Sequence, residues 1–240
     1  MHIDFEELDF RRTPIGELSV RRRTELRLGV TVYEIKLNDE FLMSSLFTAS
    51  EIALARLGLA ELRRENLTVA VGGLGLGYTA ATVLENARVT ALYVIDYLEP
   101  VIEWHRSGLL PLGPTLTADP RCRFIHGDFF SLACSPEGLV PDATRTRFDA
   151  ILVDIDHSPR HVLSPEHFAF YSSRGLRAMA AHLEPGGVFA LWSNDPPDET
   201  FVASLGEVFA SVTPHVVSFP NPYTHAESSC TVYVARTGPA

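Results

Sequence analysis

The sequence has little cysteine and no long hydrophobic run. Its three cysteines, Cys122, Cys134 and Cys230, are scattered, with neither metal-ligand spacing nor a pairing pattern. We therefore expect buried thiols rather than a disulfide framework. No run of about 18 apolar residues is present, so the sequence predicts no membrane span. The acidic start, Met1–Glu7, lacks the basic and apolar regions of a signal peptide, and we expect a cytoplasmic protein.

Positive charge is also scarce. Lysine and arginine total 20 against 30 aspartates and glutamates, which gives a formal net charge of −10. This balance argues against nucleic acid as a partner, because phosphate neutralisation needs a basic face. The basic cluster Arg21–Arg23 lies in a strand-like region and is interpreted as a solvated face. An acidic surface favours a cationic small ligand instead.

The most informative stretch is residues 67–78, in which an apolar run ends in a glycine turn that precedes a helix-like segment. Such an order is typical of a buried parallel strand leading into a nucleotide site at a helix N-terminus. Gly73, Gly75 and Gly77 form G-x-G-x-G, and Tyr78 stands where a third dinucleotide-binding glycine would fall. The spacing favours an adenosyl ligand without pyrophosphate, such as S-adenosylmethionine, over NAD. The alternative is a glycine turn that binds nothing.

The chain divides into two patterns. Residues 13–43 alternate apolar and polar side chains, which predicts a small antiparallel β appendage with exposed edges and a plausible dimer surface. From Leu67 onward β and α segments alternate, which predicts a Rossmann-like, doubly wound α/β sheet that is mostly parallel. We assign 1–48 to the appendage and 49–240 to the catalytic domain. Ser50 is predicted to cap the first helix, and a helix is predicted from Pro165 to Leu183.

Acidic residues end three of the predicted strands. Asp96 is the candidate for the ribose hydroxyls, or alternatively a helix N-cap. Gly127 and Asp128 follow the third strand, where Asp128 can accept from an adenine amine or simply form a turn. Asp154 ends an apolar strand, where a carboxylate needs a partner to offset its desolvation. Because strand ends share one edge of the sheet, we expect these acids and the glycine turn to face one crevice.

The remaining segments are predicted from composition. Residues 135–147 are polar and are interpreted as a surface loop. The last two strands are predicted over 215–219 and 229–235, and the segment between them, 220–227, is interpreted as a rigid polar–aromatic loop that holds Tyr223 and His225.

In order, the chain carries the β appendage, V-A-V-G-G-L-G-L-G, Y-V-I-D, D-P-R-C-R-F-I-H-G-D, F-D-A-I-L-V-D and L-E-P-G-G-V. This set resembles the spermidine synthases and their relatives with the S-adenosylmethionine-dependent methyltransferase fold. The resemblance implies a seven-stranded sheet and dimers or tetramers. It also implies a site for S-adenosylmethionine, its decarboxylated form or methylthioadenosine. By this resemblance the three glycines line the nucleoside, Asp96 lies near ribose, Asp128 lies near adenine, and Asp154 accepts a proton from an attacking amine.

The chain departs from the spermidine synthase pattern at several acids. The glycine loop of that family carries an aspartate, and this chain has Gly75 or Leu76 in its place. At the start of the helix that follows the β appendage, where the family has Tyr-His-Glu, this chain has Ala49–Glu51 and keeps only the glutamate. Val94 occupies the position of the glutamate that binds ribose in that family. Between Asp154 and Pro159 the D-x-x-D-P motif is one residue longer, which displaces the second acid.

The sequence therefore leaves several functions open. The first hypothesis is methyl transfer to a small amine or hydroxyl acceptor. In it Asp154 is the base or orienter, and Asp156, His157, Tyr223 and His225 form the acceptor pocket. The alternative is aminopropyl transfer from decarboxylated S-adenosylmethionine, and a further alternative is a non-catalytic binding protein. A homodimer without a membrane or nucleic-acid partner is expected.

Metal-assisted chemistry is disfavoured by the sequence. Asp154 with Asn194 and Asp195 resembles a Mg²⁺ set, but the last two are more simply a turn. His157 and His161 have zinc-like spacing, but Pro159 breaks the helix that this spacing requires. We predict no metal.

Overall fold

The computed structural model describes residues 4–140 and 147–239. Part of the predicted surface loop, residues 141–146, lies outside the described residues, as do residues 1–3 of the acidic start.

The N-terminal segment forms a four-stranded antiparallel sheet in the order β1-β2-β3-β4. Its strands are β1 (Phe5–Thr13), β2 (Gly16–Glu25), β3 (Val30–Leu37) and β4 (Glu40–Ser44). The predicted appendage is confirmed, but its first strand was missed. That strand is mostly exposed and carries few apolar residues, so it lacks the alternation that identifies its neighbours. The boundary between residues 48 and 49 stays a prediction.

The second sheet has seven strands in the order β10-β11-β9-β8-β5-β6-β7. The strands from β9 to β7 are parallel, and β11 and β10 add antiparallel at one edge. The predicted mostly parallel, doubly wound α/β fold is therefore confirmed. The strands are β5 (Leu67–Gly72), β6 (Val89–Asp96), β7 (Cys122–His126), β8 (Phe148–Val153), β9 (Leu183–Ser193), β10 (Ser211–Asn221) and β11 (Ala226–Arg236).

Helices cover both faces of this sheet. They are α1 (Ala49–Ala60), α2 (Tyr78–Leu84), α3 (Glu99–Arg106), α4 (Gly113–Ala118), α5 (Phe129–Cys134), α6 (Ser173–Ala180) and α7 (Glu199–Gly206), with a 3₁₀ helix at Pro165–Ala169. Two separate clusters of buried apolar side chains result, as a doubly wound sheet requires. No helix within residues 4–140 and 147–239 has the length and hydrophobicity to span a membrane.

Several local predictions need correction. Thr48, not Ser50, precedes α1, and the buried Ser50 hydroxyl instead donates to the Glu51 carboxylate at 2.6 Å. The single helix predicted from Pro165 is broken, because Ser172 caps a new helix by accepting from the Gly175 amide. Among the cysteines Cys230 is buried, but Cys134 is exposed rather than buried as expected.

The C-terminal hairpin also differs from its prediction. Strand β10 extends to Asn221 and β11 begins at Ala226, so half of the predicted loop is strand and only the turn at residues 222–225 remains. Its prolines did not stop the strand, because β10 is an edge strand and tolerates a missing N–H.

Candidate active site

One cavity lies where strands β5, β6, β7 and β8 end, and the N-terminal sheet closes it from the opposite side. Its wall comes from the segments after these strands and from β3, β4, α1 and the turn between β1 and β2. The lining residues used below are Ile15, Ile35, Leu42, Met43, Glu51, Gly73, Leu74, Gly75, Tyr78, Asp96, Asp128, Phe130, Asp154, His157, Leu163, Glu166, His167 and Trp192. The predicted crevice at the strand ends is therefore present.

The glycine turn packs tightly against the end of β8. Gly73 has a φ of +94°, and a Cβ on it would stand 2.1 Å from the carbonyl oxygen of Asp154. Any side chain here would separate the turn from β8. Gly73 and Gly75 line the cavity. They thus bring backbone to the position where a nucleoside is predicted.

Gly77 has a different role, because it is buried and does not line the cavity. A Cβ at this position would stand 2.9 Å from the imidazole of His105. That ring is buried, and its Nε2 lies 2.9 Å from the Gly75 carbonyl oxygen, so Nε2 carries the proton and donates. Burial lowers the pKa of His105 and favours the neutral ring. Gly77 therefore makes room for the histidine that supports the turn.

Asp96 lines the cavity and anchors the glycine turn. Its Oδ2 accepts from the Leu74 amide and its Oδ1 from the Leu98 amide, both at 2.8 Å. Burial raises the pKa of Asp96, and the amide hydrogen bonds oppose that effect. The alternative interpretation of Asp96 as a helix N-cap is wrong, because Leu98 precedes α3 and, among the described residues, no side chain caps that helix. A carboxylate oxygen can accept more than one hydrogen bond, so these amides leave acceptor capacity for a ribose hydroxyl. Ribose contact stays a prediction.

Asp128 is an N-cap that also lines the cavity. Its side chain accepts from the Phe130 amide at 3.0 Å and from the Ser131 hydroxyl at 2.5 Å, which fixes the start of α5. Gly127 joins β7 to β6 by donating to the Asp96 carbonyl oxygen and does not line the cavity. The adenine contact predicted for this pair is untested.

Two acids that line the cavity repel each other: Asp154 and Glu51, an acid absent from the predicted site. Glu51, in the first turn of α1, lines the same cavity and is only 8% exposed. The Thr79 hydroxyl donates to Asp154 Oδ2 at 2.8 Å. Burial, then repulsion from Asp154, raises the pKa of Glu51 to about 7, and burial raises that of Asp154 to about 6. The two carboxyl groups titrate as one pair.

Glu51 was not among the site residues predicted from the sequence, although a signal for it exists. It was noted only as the remaining glutamate of a family motif. An acid in the first turn of a helix is ordinary, because the helix dipole stabilises it there. The informative feature is its position among apolar residues on the buried face of α1, and burial cannot be read from residue type alone.

Two residues after β8 have separate roles. His157 lines the cavity, as predicted. Asp156 is 2% exposed and lies outside the lining, where it accepts from the Leu163 amide, the Tyr171 hydroxyl and His167 Nδ1 at 2.7, 2.8 and 2.9 Å. It therefore holds residues 157–167 as the wall of the cavity.

Tyr223 and His225 lie away from the cavity, at the turn of the C-terminal hairpin. His225 is exposed with a φ of +54°. The Tyr223 hydroxyl donates to Glu25 at 2.7 Å and accepts from Arg23 at 2.9 Å. The hairpin turn thus joins the N-terminal sheet, and these two residues do not take part in the site proposed below.

The residues that resemble metal ligands in the sequence do not lie together in the structure. Asn194 is exposed, and Asp195 pairs with His161 Nδ1 at 3.1 Å outside the cavity. Within the part of the chain that the structure describes, no group of three or more potential ligands is close enough to hold a metal ion.

The charge of the cavity has one sign. Its ionisable lining consists of five acids and two histidines apart from tyrosine, and no lysine or arginine from the described residues lines it. Such a cavity attracts cations and repels carboxylates.

Comparison with solved structures identifies this arrangement of sheets. No family model matches the chain, and no curated protein matches it significantly. The chain resembles the crystal structure of spermidine synthase from Thermotoga maritima with a TM-score of 0.72 and 16% identity, covering 98% of this chain and 73% of that one.

This chain has the spermidine synthase fold. A spermidine synthase crystallised with the transition-state analogue AdoDATO matches similarly, with a TM-score of 0.74, 16% identity and coverage of 98% and 74%. The predicted fold and its β appendage are confirmed by both matches. At this identity the comparison establishes the spermidine synthase fold alone.

Proposed function

We propose that the protein transfers an aminopropyl group from decarboxylated S-adenosylmethionine to a small amine. The observation that carries this proposal is the acidic cavity, with the buried Glu51–Asp154 pair beside the glycine turn. The fold supports it, because both solved structures compared above are spermidine synthases and one holds a transition-state analogue.

The sign of the cavity charge selects between the two donors. Decarboxylated S-adenosylmethionine carries an ammonium and a sulfonium and no carboxylate, so all its charges suit this cavity. S-adenosylmethionine adds a carboxylate, which would meet Asp96, Asp128 and the Glu51–Asp154 pair without a lining lysine or arginine among the described residues. Like charges at short range cost several-fold more inside a protein than in water. Gly73, Gly75 and Asp96 are the residues that would hold the nucleoside.

The Glu51–Asp154 pair supplies the base. The donor contributes a carbon bonded to positively charged sulfur, which is already a good leaving group. An entering ammonium gives one proton to the ionised pair, and the nitrogen lone pair then forms the new N–C bond. As the C–S bond breaks, its electron pair stays on sulfur, giving a neutral thioether and a secondary ammonium. A carboxyl pair with a pKa near neutrality matches this proton transfer.

Methyl transfer from S-adenosylmethionine is the second candidate. One observation favours it: the glycine turn carries Leu74 and Leu76, both buried, and no acid for the ammonium of a decarboxylated donor.

Cytoplasmic location and homodimerisation stay predictions. The latter draws support from edge strand β1, where Phe5 and Phe10 are 58% and 45% exposed.

Turnover with each donor tests the proposal. Purified protein is incubated with either donor and a panel of small amines, and products are identified by mass spectrometry. We expect aminopropylated amine and methylthioadenosine from the decarboxylated donor only. Methylated product from S-adenosylmethionine would instead establish the second candidate. Nucleoside binding by calorimetry without any product would indicate a binding protein.

Asp154→Asn tests the base. We expect turnover to fall by at least about a hundredfold while methylthioadenosine affinity stays within a few-fold. Asp195→Asn is the matched control, because Asp195 follows the neighbouring strand β9 and lies outside the cavity. Full activity of Asp154→Asn would exclude Asp154 as proton acceptor.

A further inference from the structure

The N-terminal sheet contributes only apolar side chains to the cavity. These are Ile15 from the turn between β1 and β2, Ile35 from β3, and Leu42 and Met43 from β4. Met43 reaches the glycine turn, where its sulfur lies 3.1 Å from the Leu76 amide nitrogen. The buried acids of the same sheet, Glu25 and Glu34, pair with arginines and do not line the cavity. We call these four apolar residues the apolar wall.

Most acids that line the cavity already have partners or are solvated. Asp96 accepts from two backbone amides, and Asp128 accepts from an amide and a hydroxyl at the start of α5. Asp96 ends β6 and Asp128 follows β7, two strands on the same side of β5, which is the side predicted for the nucleoside. Glu166 is exposed, where water screens its charge. With Asp96 and Asp128 left to the nucleoside and the ammonium of the donor, the Glu51–Asp154 pair is the buried anionic site that remains for an acceptor.

The groups around this pair are neutral. Ser50 donates to Glu51 at 2.6 Å, and Thr79 donates to Asp154 at 2.8 Å. Burial raises the pKa of the Tyr78 hydroxyl and of the Cys230 thiol, both near Glu51, so neither adds a negative charge. The Thr79 hydroxyl lies 2.8 Å from Asp154 Oδ2 and 3.5 Å from the Glu51 carbonyl oxygen, and the two acids repel each other, so together they offer one buried cation site.

We infer that the acceptor is a primary monoamine with an apolar remainder, whose ammonium binds the Glu51–Asp154 pair and whose chain packs on the apolar wall. This inference rests on the proposed function and names the acceptor class. A diamine that enters with one end on the pair would bring its second ammonium against the apolar wall. There it would lose water without gaining a carboxylate, which disfavours it.

A comparison of two amines of equal length tests the acceptor class. Wild-type protein is assayed with decarboxylated S-adenosylmethionine and either pentylamine or 1,5-diaminopentane, which have equal chain lengths. We expect kcat/KM to be at least about tenfold higher for pentylamine, because the pocket leaves the second ammonium unpaired. Equal or better use of the diamine would overturn the inference and leave aminopropyl transfer standing. Transfer to no amine would remove the proposed function itself.

A carboxylate placed on the apolar wall should weaken the preference for the monoamine. Leu42→Asp puts an acid on the wall, and Phe41→Asp is the matched control because Phe41 is 52% exposed and does not line the cavity. We expect Leu42→Asp to shift the kcat/KM ratio about tenfold toward the diamine and Phe41→Asp to leave it unchanged. If Leu42→Asp does not fold, judged by circular dichroism, Ile15→Asp in the first turn replaces it. An unchanged ratio in a folded wall variant would overturn the inference.

Discussion

At the scale of single residues, the cavity depends on side chains that hold backbone in place as well as on those that face a ligand. Asp96 shows this most directly, since one carboxylate links the glycine turn to the segment that begins α3. Gly77 and His105 form a second such support beneath the turn. The conformation of the glycine turn therefore depends on groups that contact it from behind.

Asp96→Ala should weaken methylthioadenosine binding by about 1–3 kcal/mol, because it removes charged hydrogen bonds that order the turn. Isothermal titration calorimetry measures the change. Asp119→Ala is the control, because Asp119 precedes β7 and does not line the cavity. An affinity equal to that of the wild type would remove Asp96 from the site.

The sequence located some site residues and not others for a physical reason. Asp96 and Asp154 could be placed because parallel strands end at one edge of a sheet, so their positions follow from the strand pattern alone. Glu51 could not, because α1 precedes the first strand of that sheet, and its approach depends on packing against α2 and β9. Asp156 follows the same strand as Asp154, but its carboxylate is turned inward to three donors.

At the scale of elements, the C-terminal hairpin contacts the N-terminal sheet, and each stabilises the position of the other. Tyr223 joins Glu25 and Arg23, and its ring lies 6.0 Å from that of Phe47, just before α1. The hydrogen bond from Arg23 is the largest cause that lowers the pKa of Glu25, so the network is charged. The hairpin thus helps to keep the apolar wall over the cavity.

Tyr223→Phe should lower the melting temperature by a few degrees, because it removes the hydroxyl that joins two elements distant in sequence. Differential scanning calorimetry measures the shift. Thr224→Ala, on the same exposed turn, is the control and should leave the melting temperature unchanged. Equal melting temperatures for Tyr223→Phe and the wild type would mean that the hydroxyl does not stabilise the contact.

Element boundaries were predicted best where local patterns and tertiary contacts agree. The end of strand β6 was predicted correctly, since the strand ends at Asp96 as the sequence indicates. The hairpin was predicted too short because Pro214 and Pro220 lie within β10, and only its edge position makes them tolerable. Strand β1 is stabilised by pairing with β2 rather than by its own pattern.

At the scale of the whole molecule, the carboxyl pair links stability to pH. Burial raises the pKa of Glu51 to about 7 and that of Asp154 to about 6, whereas the unfolded values are about 4. Between about pH 4 and pH 7 the folded chain therefore binds more protons than the unfolded chain. The pair's contribution to stability is fully present below about pH 4 and is lost as pH rises through about 6 to 7. The proposed transfer should have the opposite dependence on pH, because its base must be ionised.

Glu51→Gln separates this effect from other titrations, since the amide can still accept from Ser50 but carries no charge. The difference in melting temperature between variant and wild type should grow by a few degrees in favour of the variant from pH 5 to pH 8. Glu85→Gln is the control, because Glu85 is 65% exposed at its side chain and pairs with Arg56 on the surface. A difference for Glu51→Gln that does not change with pH would contradict the buried pair.

The two sides of the cavity come from segments that are separate in the sequence. The chain from α1 onward carries the acids, and the N-terminal sheet supplies the apolar wall. On the proposed function, changes in the first strands would alter which amines are accepted, while the segments proposed to perform the reaction would remain as they are. Acceptor range and reaction type can evolve independently in proteins built this way.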